Sequence, residues 1–186
     1  MRKPKLARQD LNLLNQGMTE LMNADAHALI VKTILWPDET STRKWAQQLA
    51  QQSGLAHALI TLHGDLGAGK TTLARHLLTA LGVQGRIKSP TYAVVEAYTL
   101  DSLGTPAVNI WHFDFYRFND PDEWEEAGFR DVFASDGLKI VEWPDKAGAY
   151  LPQADLAITL ESLSDTSRRV TLVAYTALGR DLIATV

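Results

Sequence analysis

Eight consecutive residues constrain this chain more than any others. Gly64-Asp65-Leu66-Gly67-Ala68-Gly69-Lys70-Thr71 fits G-x-x-x-x-G-K-[ST], the phosphate-binding P-loop. The glycines let successive backbone N–H groups turn inward around phosphate oxygens, where a Cβ would clash or forbid the dihedrals. The N-terminus of the helix that follows adds its dipole to the same anion site. Lys70 is placed to reach the β- and γ-phosphates, and the Thr71 hydroxyl to ligate Mg²⁺. A glycine-rich turn would satisfy the same string, but its context argues against that. Ala58 to Leu62 is a short apolar run suited to a strand buried on both faces, and Leu73, Leu77, Leu78 and Leu81 then recur at helical spacing up to Gly82, a C′ terminator.

The rest of the chain agrees with an α/β sandwich. Pro37 to Ser41 supplies helix-start chemistry, and Trp45, Leu49 and Ala50 mark one face of a helix ending near Gly54. Strands are expected at Tyr92–Thr99, Val108–Phe115 and Leu138–Trp143, a helix at Asp122–Phe133, and a final strand pair at Leu156–Leu160 and Val170–Tyr175. Asp120 reads as an N-cap with Pro121 at the first helical position, and the acids of 120–126 complement that helix's dipole. Residues 1–34 read as a poorly ordered extension, with a basic start, no apolar signal core, and Met18 and Met22 as alternative starts. The folded domain is assigned to residues 35–186.

Composition removes whole classes of function. The 186 residues include no Cys, which excludes a disulfide framework, a thiolate zinc site and a cysteine nucleophile. The five His residues show no metal-ligand spacing. No apolar stretch approaches the roughly 18 residues of a membrane helix. A net charge of −4 is a poor start for gripping a nucleic-acid backbone unaided.

A P-loop needs an acid at the end of a neighbouring apolar strand, to hold the magnesium's surroundings. Leu138-Lys139-Ile140-Val141-Glu142 and Ile110-Trp111-His112-Phe113-Asp114 each end in one. Glu142 ranks first. Asp114 ranks second, with orientation of the attacking water or fixation of a switch segment as its other roles. Thr91, in Ser89-Pro90-Thr91, is a candidate γ-phosphate sensor, against the plainer reading of a Ser-Pro turn flanked by solvated bases.

Four segments in order, GDLGAGKTT at Gly64–Thr72, KSPTY at Lys88–Tyr92, HFDFYR at His112–Arg117 and VEWPDKA at Val141–Ala147, resemble the TsaE (YjeE-type) family. The likeness runs from about Leu35 to Leu182. It implies a three-layer P-loop NTPase sandwich whose mixed sheet has a parallel centre and antiparallel flanks. It also implies a cytoplasmic P-loop ATPase of tRNA threonylcarbamoyladenosine biosynthesis, with ATP and Mg²⁺ as cofactors and TsaB and TsaD as protein partners. TsaD transfers the threonylcarbamoyl group to adenosine 37 of tRNAs reading codons that begin with A, and ATP hydrolysis supports turnover of that assembly. By position, residues Gly64 to Thr72 and Trp143 contact the nucleotide. Lys70 is the phosphate lysine, Thr71 and Glu142 are associated with the metal, Ser89-Pro90-Thr91 is switch-like, and Asp114 is an acid near the nucleotide.

Two other classes share the loop. A small-molecule kinase needs a lid carrying arginines, and the adjacent pair Arg168-Arg169 falls in an expected hairpin turn. A GTP-dependent switch needs D-x-x-G after an apolar strand and an N-K-x-D base reader. Asp101-Ser102-Leu103-Gly104 fits the first string without the strand, and the second is missing. No arginine finger is obvious: Arg117 and Arg130 are candidates in cis, and a partner-supplied or partner-ordered group is an equal alternative. The expectation is therefore slow hydrolysis by the chain alone, stimulation by partners, and tRNA contacts made mainly by those partners.

Overall fold

The computed structural model describes residues 29–101 and 107–184. Seven strands form one sheet: β1 (Ile30–Trp36), β2 (Leu59–His63), β3 (Val95–Leu100), β4 (Val108–Asp114), β5 (Leu138–Glu142), β6 (Leu156–Ser162) and β7 (Arg168–Ala174). Their order across the sheet is β1-β7-β6-β2-β5-β4-β3. The central four, β6, β2, β5 and β4, are parallel, while β3, β7 and β1 pair antiparallel on the two flanks. This is the mixed α/β sheet that the resemblance implies.

Helices cover both faces because the central strands bury alternate residues on opposite sides. On one face, Ile60, Ile110, Leu138, Ile140 and Leu156 join a core with Trp45 and Leu49 of α1 (Glu39–Ala50), Leu73 and Leu77 of α2 (Lys70–Ala80), and Leu182 of α5 (Ala177–Ala184). On the other, Leu59, Phe113 and Val141 pack with Trp124 of α3 (Asp122–Glu126) and Phe129 of α4 (Phe129–Ala134). Asp38 caps α1, its carboxylate accepting from the Ser41 N–H at 2.8 Å and the Ser41 hydroxyl at 2.9 Å. α2 ends in a Schellman motif: Val83 N–H donates to the Leu78 carbonyl at 3.0 Å and Gly82 N–H to that of Thr79 at 3.1 Å.

Several expectations need correction. Residues 1–28, most of the expected extension, lie outside the described residues, but residues 30–34 of it belong to β1 and pair with β7. The strand expected from Tyr92 begins only at Val95. Residues 90–94 form a tight turn instead, in which Val94 N–H donates to the Pro90 carbonyl at 2.6 Å and Val94 takes a positive φ of 68°. The helix expected over Asp122–Phe133 is broken into α3 and α4 at Gly128, whose φ is 71°. Asp120 accepts from the Asp122 N–H at 3.0 Å, one position from its expected capping place. Helix α5 and the 3₁₀ segment Pro144–Tyr150 were not expected at all. Among the described residues, no helix is long and apolar enough to cross a membrane.

Candidate functional site

The parallel strands β2, β5 and β4 all end at the same edge of the sheet, the place where open α/β sheets bind ligands. β2 runs straight into the loop 64–69, and the loop into α2. Close approach explains the first glycine: a Cβ on Gly64 would lie 2.2 Å from the Leu160 carbonyl oxygen of β6. Gly69, with φ of 107°, turns the chain into α2. The sheet therefore presses directly beneath the loop and leaves its upper side open.

That upper side is a cavity of about 220 Å³. Leu66, Gly67, Gly69, Lys70, Thr71 and Thr72 form one wall. Thr91, Asp114, Tyr116, Glu142 and Trp143 form the other. Three loop residues stand behind the wall. Gly64 and Asp65 offer their carbonyl oxygens to the Lys70 ammonium at 2.6 and 2.8 Å, and Ala68 is buried against the core. The Lys70 Nζ also lies 3.9 Å from the centroid of the Trp143 ring. Burial holds the Lys70 pKa below the ordinary lysine value, against the opposing pull of the Glu142, Asp114 and Asp65 charges.

Glu142 is the pivot of the site. Strand periodicity puts it on the same face as Leu138 and Ile140, towards α2, where its Oε2 accepts from the Thr71 hydroxyl at 2.8 Å. Its Oε1 meets His112 Nε2 at 2.9 Å, and both side chains are buried. A carboxylate only accepts, so Nε2 carries the proton in this contact. The Nδ1 atom of His112 has no hydrogen-bond partner among the described residues.

Asp114 lies directly across from Glu142 in the β4–β5 register. Its carboxylate is otherwise engaged, accepting from the Thr91 hydroxyl at 2.5 Å and the Tyr116 N–H at 3.0 Å. Ser89 Oγ in turn lies 2.8 Å from Thr91 Oγ1, so the Ser89-Pro90-Thr91 turn is tied to the end of β4. Trp143 adopts a positive φ of 56°, unusual for a bulky residue, and its ring lies 5.1 Å from that of Tyr116.

All thirteen loop and wall residues expected from sequence thus gather at one edge of the sheet, Thr91, Asp114 and Glu142 together with Gly64–Thr72 and Trp143. His112 and Tyr116 were missed as participants. Both lie in the quoted run His112–Arg117, and the alternation of β4 is the signal that puts His112 on the face of Asp114. The two candidate fingers are engaged elsewhere: the Arg117 guanidinium sits 4.1 Å over the Tyr92 ring, and Arg130 pairs with Glu125 at 2.8 Å on the surface. Arg168 and Arg169 open strand β7 instead of forming a lid. Of the string Asp101–Gly104, only Asp101 is among the described residues.

Can this edge accept a magnesium ion and a triphosphate? The glycine cradle, the ammonium at its mouth and the Thr71–Glu142 oxygens form a donor set that fits both, since hard cations favour oxygen ligands and phosphates favour N–H groups. Sheet, loop and helix together define a P-loop α/β domain of the NTPase type.

Comparison with known proteins narrows this class. Residues 36–170 match the family model described as "Threonylcarbamoyl adenosine biosynthesis protein TsaE", and the chain belongs to the TsaE family. A protein of Haemophilus influenzae named tRNA threonylcarbamoyladenosine biosynthesis protein TsaE is 40% identical over 152 residues, 80% of this chain and 92% of that protein. A Synechocystis protein of the same name is 38% identical over 125 residues, 63% of this chain and 70% of its own length. The crystal structure of Bacillus subtilis YdiB superposes with a TM-score of 0.66 at 26% identity, covering 85% of this chain and 95% of that one.

Proposed function

We propose that this protein is a magnesium-dependent ATPase subunit of tRNA threonylcarbamoyladenosine biosynthesis, working with TsaD- and TsaB-type partners. The observation that carries the reading is the hydrogen bond between Thr71 and Glu142. It joins the first turn of α2 to the end of β5 beside a loop built for phosphate. In this reading the loop N–H groups and Lys70 bind the phosphates, and Trp143 with Tyr116 walls the nucleotide. Thr71 and Glu142 hold the metal, which would neutralise charge on the β- and γ-phosphates. His112 donates to Glu142 and orients it. Asp114 holds Thr91 through its hydroxyl, so that the Ser89–Thr91 turn follows the state of the γ-phosphate.

Among the described residues, no arginine lines the cavity. An arginine finger is worth about 10³–10⁵ in rate. The isolated chain is therefore expected to bind ATP and hydrolyse it slowly, with turnover rising when partners supply or order the missing cation. The net charge of −4 supports leaving tRNA contacts mainly to those partners. The test is ATP turnover by the full chain with and without the two partner proteins and tRNA. Equal turnover in the isolated chain and the assembly would refute partner stimulation. Tight, salt-sensitive binding of tRNA by the chain alone would refute the division of labour.

A further inference from the structure

An arginine at the end of a β-hairpin is ordinarily solvated. Arg168 is not. Its Nε donates to the carbonyl oxygen of Ala68, in the phosphate loop, at 2.8 Å. One terminal nitrogen of the same guanidinium donates to Ser164 and Ser167 carbonyls, each at 2.9 Å, and more weakly to that of Asp165 at 3.4 Å. The hairpin tip is itself knotted, with Ser164 Oγ accepting from the Ser167 N–H at 3.1 Å and lying 2.7 Å from Ser167 Oγ. The planar fork thus clamps a rigid tip to one peptide of the loop, a job for which an ammonium lacks the geometry.

The peptide it holds is the one that matters. In a planar trans peptide the C=O and the next N–H point in opposite directions. Holding the Ala68 carbonyl outward, towards Arg168, turns the Gly69 N–H inward to the side where Gly69 lines the phosphate cavity. The positive charge also polarises the peptide and strengthens that N–H as a donor to an anion. A second cavity, of about 170 Å³, lies behind the loop between Ala68, Gly69, Leu160 and Arg168. It gives this glycine-flanked peptide room to turn over once the guanidinium is gone.

We infer that Arg168 is a positioning residue for the phosphate cradle, fixing the Ala68–Gly69 peptide from outside the site. The inference rests on the proposed nucleotide reading, and its test separates the two. Mg-ATP affinity is measured by calorimetry on the full chain and its R168A, R168K and R169A variants, with the Gly69 amide followed in ¹⁵N–¹H spectra without nucleotide. R168A is expected to weaken affinity about tenfold, the scale of one charge-assisted hydrogen bond. R168K is expected to weaken it about threefold, because it keeps the charge without the fork. Both should shift the Gly69 amide resonance. R169A, whose guanidinium pairs with Glu161 on the surface at 3.0 Å, should change neither. Folded R168A and R168K that bind within twofold of the parent, with an unmoved Gly69 resonance, would overturn the inference. If R168A does not fold, R168K carries the same two readouts. A parent chain that binds no Mg-ATP would refute the nucleotide reading, while the Gly69 resonance in the variants would still report whether Arg168 acts on this peptide.

Discussion

Truncating Glu142 should separate its structural from its chemical role. The carboxylate is 1% exposed and accepts from both Thr71 and His112. In Glu142→Ala both donors lose their acceptor, His112 in a buried setting and Thr71 in a half-buried one beside the cavity. Each hydrogen bond to a charged group is worth about 1.5–3 kcal/mol, so the gross loss is about 3–6 kcal/mol. Removing the carboxylate also relieves its desolvation, which returns part of that. The net expectation is about 2–3 kcal/mol, or a melting temperature lower by about 4–12 °C for a chain of this size. Glu142→Gln keeps an oxygen for His112 and a polar partner for Thr71, so its melting temperature should fall much less. Both variants lose the charge proposed to hold the metal, and turnover should drop about 10–100-fold or more. Nucleotide affinity should fall less than turnover, because the loop and Lys70 remain. The assays are thermal unfolding, ATP binding and ATP turnover in parallel, with Asp114→Asn as the comparison. An unchanged melting temperature in Glu142→Ala would refute the buried network. Parent-like turnover in Glu142→Gln, together with its loss in Asp114→Asn, would reverse the roles of the two acids.

Lys70→Ala removes the only side-chain cation in the cavity wall among the described residues, and ATP binding by calorimetry should be lost. Thr71→Ala should leave ATP binding detectable but raise the magnesium concentration needed for half-maximal turnover by about tenfold. Burial holds the His63 pKa below its ordinary value, Asp145 at 3.7 Å opposing. The unfolded chain then takes up that proton first, so this contribution to stability is whole above the ordinary pKa of about 6.5 and is lost as pH falls towards the folded value. Urea midpoints at pH 7.5 and pH 5 should therefore differ less in His63→Gln than in the parent, and an equal or larger difference would contradict the sign.

What the sequence made legible was contiguous. The buried run 58–62, the glycine loop and the Leu-spaced helix form one strand–loop–helix unit whose partners are neighbours along the chain. β1 could not be read this way. Its pattern from Ile30 to Trp36 is exposed over its first half, and its partner is β7, from which Ala174 pairs with Ile30. Only closure of the sheet turns that segment from an extension into a strand. α5 is hidden for a related reason: a Cβ on its Gly179 would lie 1.9 Å from the Asp155 carbonyl oxygen. The glycine that weakens the helical pattern is there to allow this approach. Gly128, by contrast, interrupts a helix whose composition alone reads as continuous.

The two acids show where sequence reasoning stops and why. Each ends an apolar strand, and the alternation of each strand puts its acid on the same side of the sheet, so composition and periodicity treat them alike. Register separates them. Pairing of Ile110 with Leu138 brings Asp114 level with Glu142, and the same offset sets His112 diagonally behind Glu142, within reach of its second oxygen. Glu142 is thereby held between a helix hydroxyl and a buried imidazole. Asp114, one strand further from β2, meets the turn at Thr91 and the Tyr116 amide instead. A one-residue slip of β4 against β5 would reverse the faces and place Phe113 beside Glu142. The division of labour proposed for the two carboxylates is therefore a property of strand pairing, and a change that shifts the β4–β5 register should damage both roles together while leaving the glycine loop itself intact.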